Sequence, residues 1–163
     1  MGGRFATRSP QARADGVTSN GEVRSATSHD QQAVIRLLEA AALPTDGVPA
    51  TLHDFYVAED RGRIVGAIGL ELYGGDALLR SAVVDPGARG AGIGEALVRR
   101  VLDHARERGI RDVYLLTTTA ERYFPRFGFQ RIDRERVPAG VQVSVEFREA
   151  CPASAVAMQK QLP

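Results

Sequence analysis

The chain has 163 residues, enough for one domain with a single hydrophobic core. Hydrophobic residues make up 44% of it and charged residues 25%, and 21 basic residues nearly balance 20 acidic ones, for a formal net charge of +1. This composition is typical of a globular protein and argues against nucleic-acid binding, which requires a clustered excess of Lys and Arg. The longest apolar runs, Ile64–Leu70 and Ala77–Leu79, are far shorter than the ~20 residues that cross a bilayer, so we expect no membrane span.

Cysteine content and the amino terminus bear on the cellular compartment. Cys151 is the single cysteine, so no internal disulfide can form, and no Cys/His cluster has the spacing of a metal site. We therefore expect a metal-free protein of the reducing cytoplasm. Residues 1–20 are rich in Arg, Gly, Ser and Thr with one acid, which predicts a disordered extension, with a transit peptide as the alternative. The domain is then predicted to span residues 21–163.

The first half of the domain predicts one helix and several strands. A short strand at 22–26 precedes a helix whose apolar residues recur at helical spacing from Ala33 to Ala41, and Ser28 or Asp30 can cap that helix. A loop with two prolines and a glycine follows at 43–51. The next strands are expected at 55–59, at 64–73, where poor alternation indicates burial on both faces, and at 78–84.

A glycine-rich loop joins the last of these strands to a second helix. The loop Arg89–Gly94 follows a Pro/Gly turn, and the apolar residues of 96–105 lie on one face of the helix, which Gly109 ends. A new strand at 113–118 completes a βαβ unit with parallel strands. Together these elements predict a mixed α/β fold.

A strand that leads through a glycine-rich loop into a helix forms an anion site. The N–H groups of the first turn lack intrahelical partners, the helix dipole is positive there, and glycine lets a phosphate approach the main chain. Glycine also serves turns and packing, so the loop alone leaves a structural role open.

A nucleoside-triphosphate loop needs a lysine after its glycines, but Lys160, the one lysine, lies near the end of the chain. The dinucleotide fingerprint G-x-G-x-x-G differs from the spacing of Gly90, Gly92 and Gly94.

Two motifs together carry a family resemblance. Arg89, Gly92 and Gly94 match the pattern R-x-x-G-x-G, and the aromatic stretch AERYFPRFGF at 120–129 ends in Gly-Phe. On these motifs the chain resembles the GCN5-related N-acetyltransferase (GNAT) superfamily from about residue 22 to residue 162. The resemblance implies a small-molecule acetyltransferase that uses acetyl-CoA.

The resemblance also implies where acetyl-CoA lies. In this family a central mixed sheet of six or seven strands is flanked by helices, and it splays open here between the strand ending at Val84 and the strand beginning near Val113. The backbone of the first of these strands pairs with the pantetheine as an added strand would, and the glycine-rich loop holds the pyrophosphate. The residues implied to contact acetyl-CoA are Ala82, Val83, Val84, Arg89, Gly90, Ala91, Gly92, Ile93, Gly94 and Phe124.

Acetyl transfer needs a neutral amine, a donor to the oxyanion and a proton for the leaving thiolate. The resemblance implies that a backbone N–H, of Val84 or of the residue before it, contacts the oxyanion. Phe124 stands where many relatives carry a tyrosine acid, so the adjacent Tyr123 is the candidate proton donor, with a packing role as the alternative. Some relatives carry a glutamate near the start of the strand that ends at Val84. In this chain the matching residues, 77–80, contain no carboxylate. Glu71 on the preceding strand is the candidate base, with a solvated role equally open.

A narrower resemblance bears on the acceptor. The stretches LLTTTAERYFPRFGF (115–129) and FREACPASAVAM (147–158) look like the arsenic-resistance N-acetyltransferases and, more distantly, the acetyltransferase domain of N-acetylglutamate synthases. The arginine that helps those synthases bind an α-amino acid is Thr119 here, which favours another small amino acid or amine over glutamate. Arg80, unusual in a central strand, is expected to meet a substrate carboxylate or to form an ion pair.

Alternatives for function and for the C-terminal structure stay open. Because both customary side-chain catalysts are missing, a degenerate acyl-CoA-binding module is the alternative to an enzyme, and peptide N-termini are a lesser acceptor class. The resemblance also allows a homodimer through the C-terminal strands. There, residues 141–147 alternate as a strand would, whereas the resemblance implies a helix after Pro138 and a final strand at about 154–161, which we adopt.

Overall fold

The computed structural model describes residues 22–150 and 153–163, and the extension expected at 1–20 and Cys151 lie outside the described residues. The described chain forms a seven-stranded sheet with helices on both faces. The helices are α1 Gln31–Ala40, α2 Ile93–Glu107 and the single turn α3 Ala139–Gln142. The strands are β1 Glu22–Ser25, β2 Phe55–Asp60, β3 Arg63–Tyr73, β4 Asp76–Val84, β5 Asp112–Thr117, β6 Gln130–Ile132 and β7 Val156–Gln161.

The sheet is mixed and has one parallel junction. Its strand order is β1-β2-β3-β4-β5-β7-β6, and the neighbouring strands are antiparallel except for β4 and β5. β4 and β5 are parallel because α2 crosses over between them. The predicted fold class, a mixed sheet flanked by helices, is confirmed.

Alternate residues of the central strands pack on opposite faces of the sheet. On β2, Tyr56 and Ala58 belong to the main core under α2, whereas Phe55 and Val57 belong to a second core with α1. β3 is buried on both faces from 65 to 70, which explains why its sequence does not alternate.

Asp30, one of the two expected caps, stands at the N-cap position of α1, but its side chain makes no capping hydrogen bond to that helix. A 3-10 turn at Ser28–Asp30 precedes α1, and Thr27 caps this turn. Thr27 Oγ1 accepts a hydrogen bond from the N–H of His29 at 3.3 Å. The Asp30 carboxylate turns back to accept the N–H of Thr27 at 2.9 Å, which completes a capping box.

The alternating residues 141–147 do not form a strand. Pro138 leads into α3, and a π-helical segment follows at Glu146–Ala150. Val141 is buried while Val143 is 59% exposed, so the alternation does not produce one apolar face. β7 occupies the place between β5 and β6 instead, because sheet pairing and not local periodicity selects the strand. The helix and final strand implied by the resemblance are confirmed.

β4 separates from β5 after Leu78. The parallel ladder consists of three residue pairs, which join 76–78 of β4 to 112–114 of β5. From Leu79 to Val84, β4 keeps β3 as its partner and has no strand on its other side within the described chain. The splay that the resemblance implies is therefore present.

A bulge in β4 lies inside this splay. Gly69 pairs with Arg80 and Ala67 with Val83, so Ser81 and Ala82 oppose a single residue of β3. Ser81 has a φ of 59°, an uncommon and strained conformation for a residue with a side chain. A bulge of this kind bends its strand and re-aims the residues that follow it.

Replacing Asp30 with alanine is expected to lower the free energy of unfolding by about 1–3 kcal/mol. The buried carboxylate accepts two hydrogen bonds from Arg24, at 2.9 and 3.0 Å, besides that from Thr27. Its hydrogen bonds with Arg24 lower the pKa of Asp30 below its ordinary value, against the opposing effect of burial. Because the pKa is lower in the folded chain, this stabilisation is complete above the ordinary carboxyl pKa and is lost as the pH falls through the folded value.

Urea unfolding at about pH 7 and about pH 3 measures this contribution. The difference between wild type and Asp30→Ala should shrink at the lower pH. Asp103→Ala is the control, because that carboxylate also bonds an arginine, Arg106 at 3.0 Å, but is 61% exposed. Its effect should stay below about 1 kcal/mol. Equal losses in the two variants would contradict the interpretation.

Candidate active site

The splay opens into a cleft of about 1070 Å³. Besides single side chains such as Tyr123, Phe124 and Glu146, four parts of the chain form its walls. They are the loop after α1 (Ala41–Pro44), the bulged half of β4 (Leu79–Val84), the junction between Ala88 and Gly94, and the end of β5 with its following turn (115–120). The fold thereby brings the expected cofactor and acceptor residues to one cavity.

The glycine-rich loop has the conformation of an anion site. Gly90 and Gly92 have φ values of 89° and 82°, in the left-handed region that glycine adopts at no steric cost. α2 begins directly after them at Ile93, so its unpaired first-turn N–H groups lie at the cleft wall. The Nε of Arg89 donates to the carbonyl oxygen of Val84 at 3.2 Å, which holds the guanidinium beside the loop.

Nine of the ten residues expected to contact acetyl-CoA line this cleft. Ala91 is the exception, because its side chain packs against the main core. Since Leu79–Val84 keep no strand on one side within the described residues, backbone N–H and C=O groups along that edge are open to an extended ligand. Val84, the expected oxyanion contact, lies at the end of this edge.

Tyr123 and Phe124 contribute to the wall in different ways. Phe124 is buried, and its ring makes edge contacts with those of Tyr123 and Phe129 at 5.4 and 5.6 Å between centroids. The Tyr123 hydroxyl lies at the start of α2, 3.1 Å from the point where a Cβ on Gly94 would stand. Burial raises the pKa of Tyr123 above its ordinary value, against the opposing charge of Arg126. The phenol is therefore protonated at neutral pH and can donate a hydrogen bond.

Arg80 and Glu71 form a buried ion pair. The fully buried Arg80 side chain donates to Glu71 at 2.6 Å, to the carbonyl oxygen of Asp46 at 2.7 Å and to the Ser81 hydroxyl at 3.0 Å. The second oxygen of Glu71 accepts the Tyr73 hydroxyl at 2.5 Å. Burial first, then the bond to Glu71, raises the pKa of Tyr73 well above its ordinary value. Of the two roles expected for Arg80, the contacts match the ion pair.

This pairing also corrects the expectation for Glu71. Both of its carboxylate oxygens are occupied by Tyr73 and Arg80, and Glu71 is not part of the cleft wall. A base must lie within hydrogen-bond reach of the reacting amine, directly or through one water, and a carboxylate outside the cleft wall does not. We therefore carry forward neither Glu71 as the base nor Arg80 as a contact for a substrate carboxylate.

Glu146 is a candidate that the sequence did not reveal. It is 4% exposed, lies in the cleft wall, and is the first residue of the π-helical segment. Its Oε2 is 3.7 Å from the Nε of Arg80, which already donates to Ser81. Burial raises the pKa of Glu146 to about 7, against the opposing charge of Arg80 and with a smaller contribution from Glu71. An alternating strand would have placed Glu146 on the solvent side, opposite its apolar neighbours, so no local signal marked it.

The turn after β5 presents threonine hydroxyls to the cleft. Thr117 Oγ1 accepts the N–H groups of Thr119 and Ala120 at 3.3 and 2.9 Å, which closes the turn. Thr119, the expected substrate contact, lies in the cleft wall, as does its neighbour Thr118. This part of the site is polar and carries no charge.

Among residues 22–150 and 153–163, no three His, Cys, Asp or Glu side chains are grouped so that they could hold a metal ion. In the same part of the chain, no helix has the length and apolar character needed to cross a membrane.

The chain is similar to known proteins in sequence and in fold. The family model described as "Acetyltransferase (GNAT) domain" matches residues 51–131. The amino-acid acetyltransferase of Mycobacterium tuberculosis is 34% identical over 139 residues, which cover 79% of this chain and 76% of that protein. The M. tuberculosis protein Rv2747, solved in complex with CoA and NLQ, has a TM-score of 0.75 and 27% identity over 87% of this chain and 99% of its own.

A more distant structure shares the fold alone. N-acetylglutamate synthase from Neisseria gonorrhoeae, complexed with coenzyme A and N-acetyl-glutamate, has a TM-score of 0.74 at 22% identity. That match covers 88% of this chain and 35% of the synthase.

Gly92→Val is expected to weaken CoA binding by at least about tenfold, or about 1.4 kcal/mol. Valine is strained at a φ of 82°, and its side chain would project into the space that a phosphate must enter. Titration calorimetry with CoA measures the Kd. The control is Gly62→Val in the β2–β3 turn, where φ is 79° and a Cβ also meets nothing within 4 Å. A Kd that is the same in both variants would show that the loop does not hold the phosphates.

Proposed function

The chain belongs to the GNAT acetyltransferase family, and from this premise we propose that it transfers the acetyl group of acetyl-CoA to the amine of an amino acid or a related small molecule. It is an acetyl-CoA-dependent N-acetyltransferase, so the proposal concerns the acceptor and the residues that act on it. The observation that carries the proposal is the convergence of an open strand edge, an anion loop and a buried carboxylate on one cleft.

Acetyl-CoA is proposed to lie along the open edge of β4. Ala82, Val83 and Val84 offer backbone groups to the pantetheine, and the first turn of α2 offers its N–H groups to the pyrophosphate. Arg89 adds positive charge beside that turn. The bulge at Ser81 supports this pose. It interrupts the regular β3–β4 hydrogen bonding just before the part of β4 that is proposed to meet the thioester end of acetyl-CoA.

The acetyl carbonyl oxygen becomes negatively charged when the amine attacks. The N–H of Val84, or of Val83 before it, is the proposed donor to this oxyanion. A backbone donor on a strand is held rigidly by the sheet, so little reorganisation is needed during the reaction. The buried Phe124 ring keeps one wall of the reacting space apolar.

The acceptor is proposed to enter between the loop Ala41–Pro44 and the turn after β5. The loop contributes an apolar surface, and Thr119 with its neighbours contributes hydroxyl groups. Because Thr119 replaces the arginine of the synthase pattern and Arg80 donates to three other acceptors, neither position offers a free cation to the second carboxylate of glutamate. This favours a neutral amino acid or a simple amine. The name of the relative that is 34% identical, an amino-acid acetyltransferase, supports the amino-acid class.

The similarity of two stretches to arsenic-resistance N-acetyltransferases extends the proposed acceptors to arsenic-containing amino-acid analogues. A small cleft end lined by apolar side chains and hydroxyls suits such compounds as well as it suits natural amino acids.

Release of free CoA from acetyl-CoA, measured with a panel of acceptors, tests the proposed function. The panel contains amino acids, small amines, arsenic-containing amino-acid analogues and a peptide with a free N-terminus. We expect release with one small-amine class, lost in Gly92→Val and kept in Gly62→Val. Binding of CoA without release on any acceptor would overturn the proposal in favour of an acyl-CoA-binding module. Release on the peptide alone would overturn the small-molecule acceptor.

Tyr123→Phe is expected to lower kcat about 100-fold, because Tyr123 is the proposed proton donor to the leaving thiolate. The KM for acetyl-CoA should change little, since only the hydroxyl is removed and the ring contacts with Phe124 and Phe127 remain. The control is Tyr114→Phe, which removes a buried hydroxyl outside the cleft wall. An unchanged kcat with a raised KM for acetyl-CoA would instead make the Tyr123 hydroxyl a contact to the phosphates.

A further inference from the structure

We propose that Glu146 is the general base that takes the proton from the ammonium group of the acceptor. The inference rests on the proposed function, because it assigns the step that makes the acceptor amine nucleophilic. It places that step on the C-terminal π-helical segment, which lies outside the glycine-rich loop and the residues matched by the family model.

The position of Glu146 is that of a carboxylate with one face on the cleft. The residue as a whole is 4% exposed, and no described residue donates a hydrogen bond to its carboxylate. Among the described residues, no side-chain oxygen or nitrogen is fully buried without a hydrogen-bond partner. The Glu146 oxygens therefore keep access to the cleft, whose wall this residue forms. That access is what proton transfer from a bound amine requires.

The neighbouring cation does not occupy this carboxylate. Each nitrogen of Arg80 donates elsewhere, to Glu71, to the Asp46 carbonyl oxygen and to Ser81, while Glu146 stands at 3.7 Å. One cation is thus shared unequally between two carboxylates, and Glu71 takes the hydrogen bond. When both carboxylates are ionised, the cluster has a net charge of −1, which attracts an acceptor that arrives as a cation.

The charge environment sets the pH at which Glu146 can act. Among the described residues, Arg80 on β4 is the charged group that contacts Glu146. Arg80 pairs in turn with Glu71 on β3, and Glu71 accepts a hydrogen bond from Tyr73 on the same strand. Burial outweighs Arg80 and holds the pKa of Glu146 near 7. A base works best when its pKa lies near the operating pH, because it is then both ionised and basic enough to accept a proton. Activity should therefore rise with pH through about 7 as Glu146 loses its proton.

The proton balance of the reaction can be written with these groups. Glu146 takes one proton from the ammonium, and the neutral nitrogen attacks the thioester carbon. The C–N bond forms, the C–S bond breaks, and the thiolate takes a proton from Tyr123, which recovers it from the second N–H of the acceptor. Glu146 then releases its proton to solvent. The products are the N-acetylated acceptor, CoA with a free thiol, and one proton.

Glu146→Gln is the central variant, because glutamine keeps the size and removes the basic oxygen. We expect kcat/KM for the acceptor to fall about 100-fold near pH 7, and the rise of activity near pH 7 to disappear. At a pH above the pKa of the acceptor amine, the amine is already neutral, so the variant should approach wild-type activity. This recovery separates a base from a residue that only supports the structure. Glu107→Gln, an exposed carboxylate at the far end of α2, is the matched control and should keep the wild-type profile.

Several results would overturn the role of Glu146. One is wild-type activity of Glu146→Gln near pH 7, and another is a deficit of equal size at every pH. The Kd of CoA should be the same in wild type and variant, and a large increase in the variant would assign Glu146 to cofactor binding instead.

A second readout does not depend on turnover. Carboxyl ¹³C resonances of wild type and Glu146→Gln identify the Glu146 signal and follow its titration. A midpoint near 7 supports the proposal, and a midpoint near the ordinary carboxyl value overturns it even if wild type releases no CoA. If wild type releases no CoA but Glu146 titrates with a midpoint near 7, the proposed function is wrong. The raised pKa of Glu146 is then still confirmed.

Discussion

The separation of β4 from β5 after Leu78 is the constraint on which the rest of the site depends. Backbone N–H and C=O groups need partners when buried, and a continuous ladder would use those of Leu79–Val84 within the sheet. Because the ladder stops after three pairs, these groups remain for a ligand. The crossover through α2 keeps the two strands joined at one end, and the start of the same helix provides the anion loop at the other. The open strand edge and the proposed phosphate site thus arise from one connection.

The buried Arg80 anchors the half of β4 that has separated from β5 to the neighbouring parts of the chain. Its three hydrogen bonds join β3, the loop after α1 and the bulge at Ser81. Burying such a charge is costly unless its partners satisfy it, and here each nitrogen has an acceptor. The same cation donates no hydrogen bond to Glu146 and opposes its protonation through charge alone, so burial dominates the pKa of that carboxylate. A structural ion pair and a poised base are therefore parts of one cluster.

The aromatic segment after β5 shows how the site departs from its family pattern. Phe124 stands where the family resemblance predicts a tyrosine, and its ring is part of the main core together with Phe127 and Phe129. Tyr123, one residue earlier, places a hydroxyl at the start of α2. A 3-10 turn at Phe124–Phe127 sets this arrangement, because its tighter winding directs adjacent side chains to different sides. Polar chemistry at the cleft is thereby separated from packing beneath it.

The sequence by itself determined the features that local pattern and chemistry encode. These are the strands from β2 to β5, the amphipathic α2 with the glycine-rich loop before it, and, through the family resemblance, the splay between β4 and β5. Only the tertiary structure decided which titratable groups are paired with a neighbour and which are available for proton transfer. Glu146 lies far from Glu71 and Arg80 in the sequence, and the hydrogen bonds and burial of these groups, with the pKa of Glu146, depend on neighbours that the fold brings together. Desolvation and charge pairing act through space, so periodicity along the chain carries no record of them.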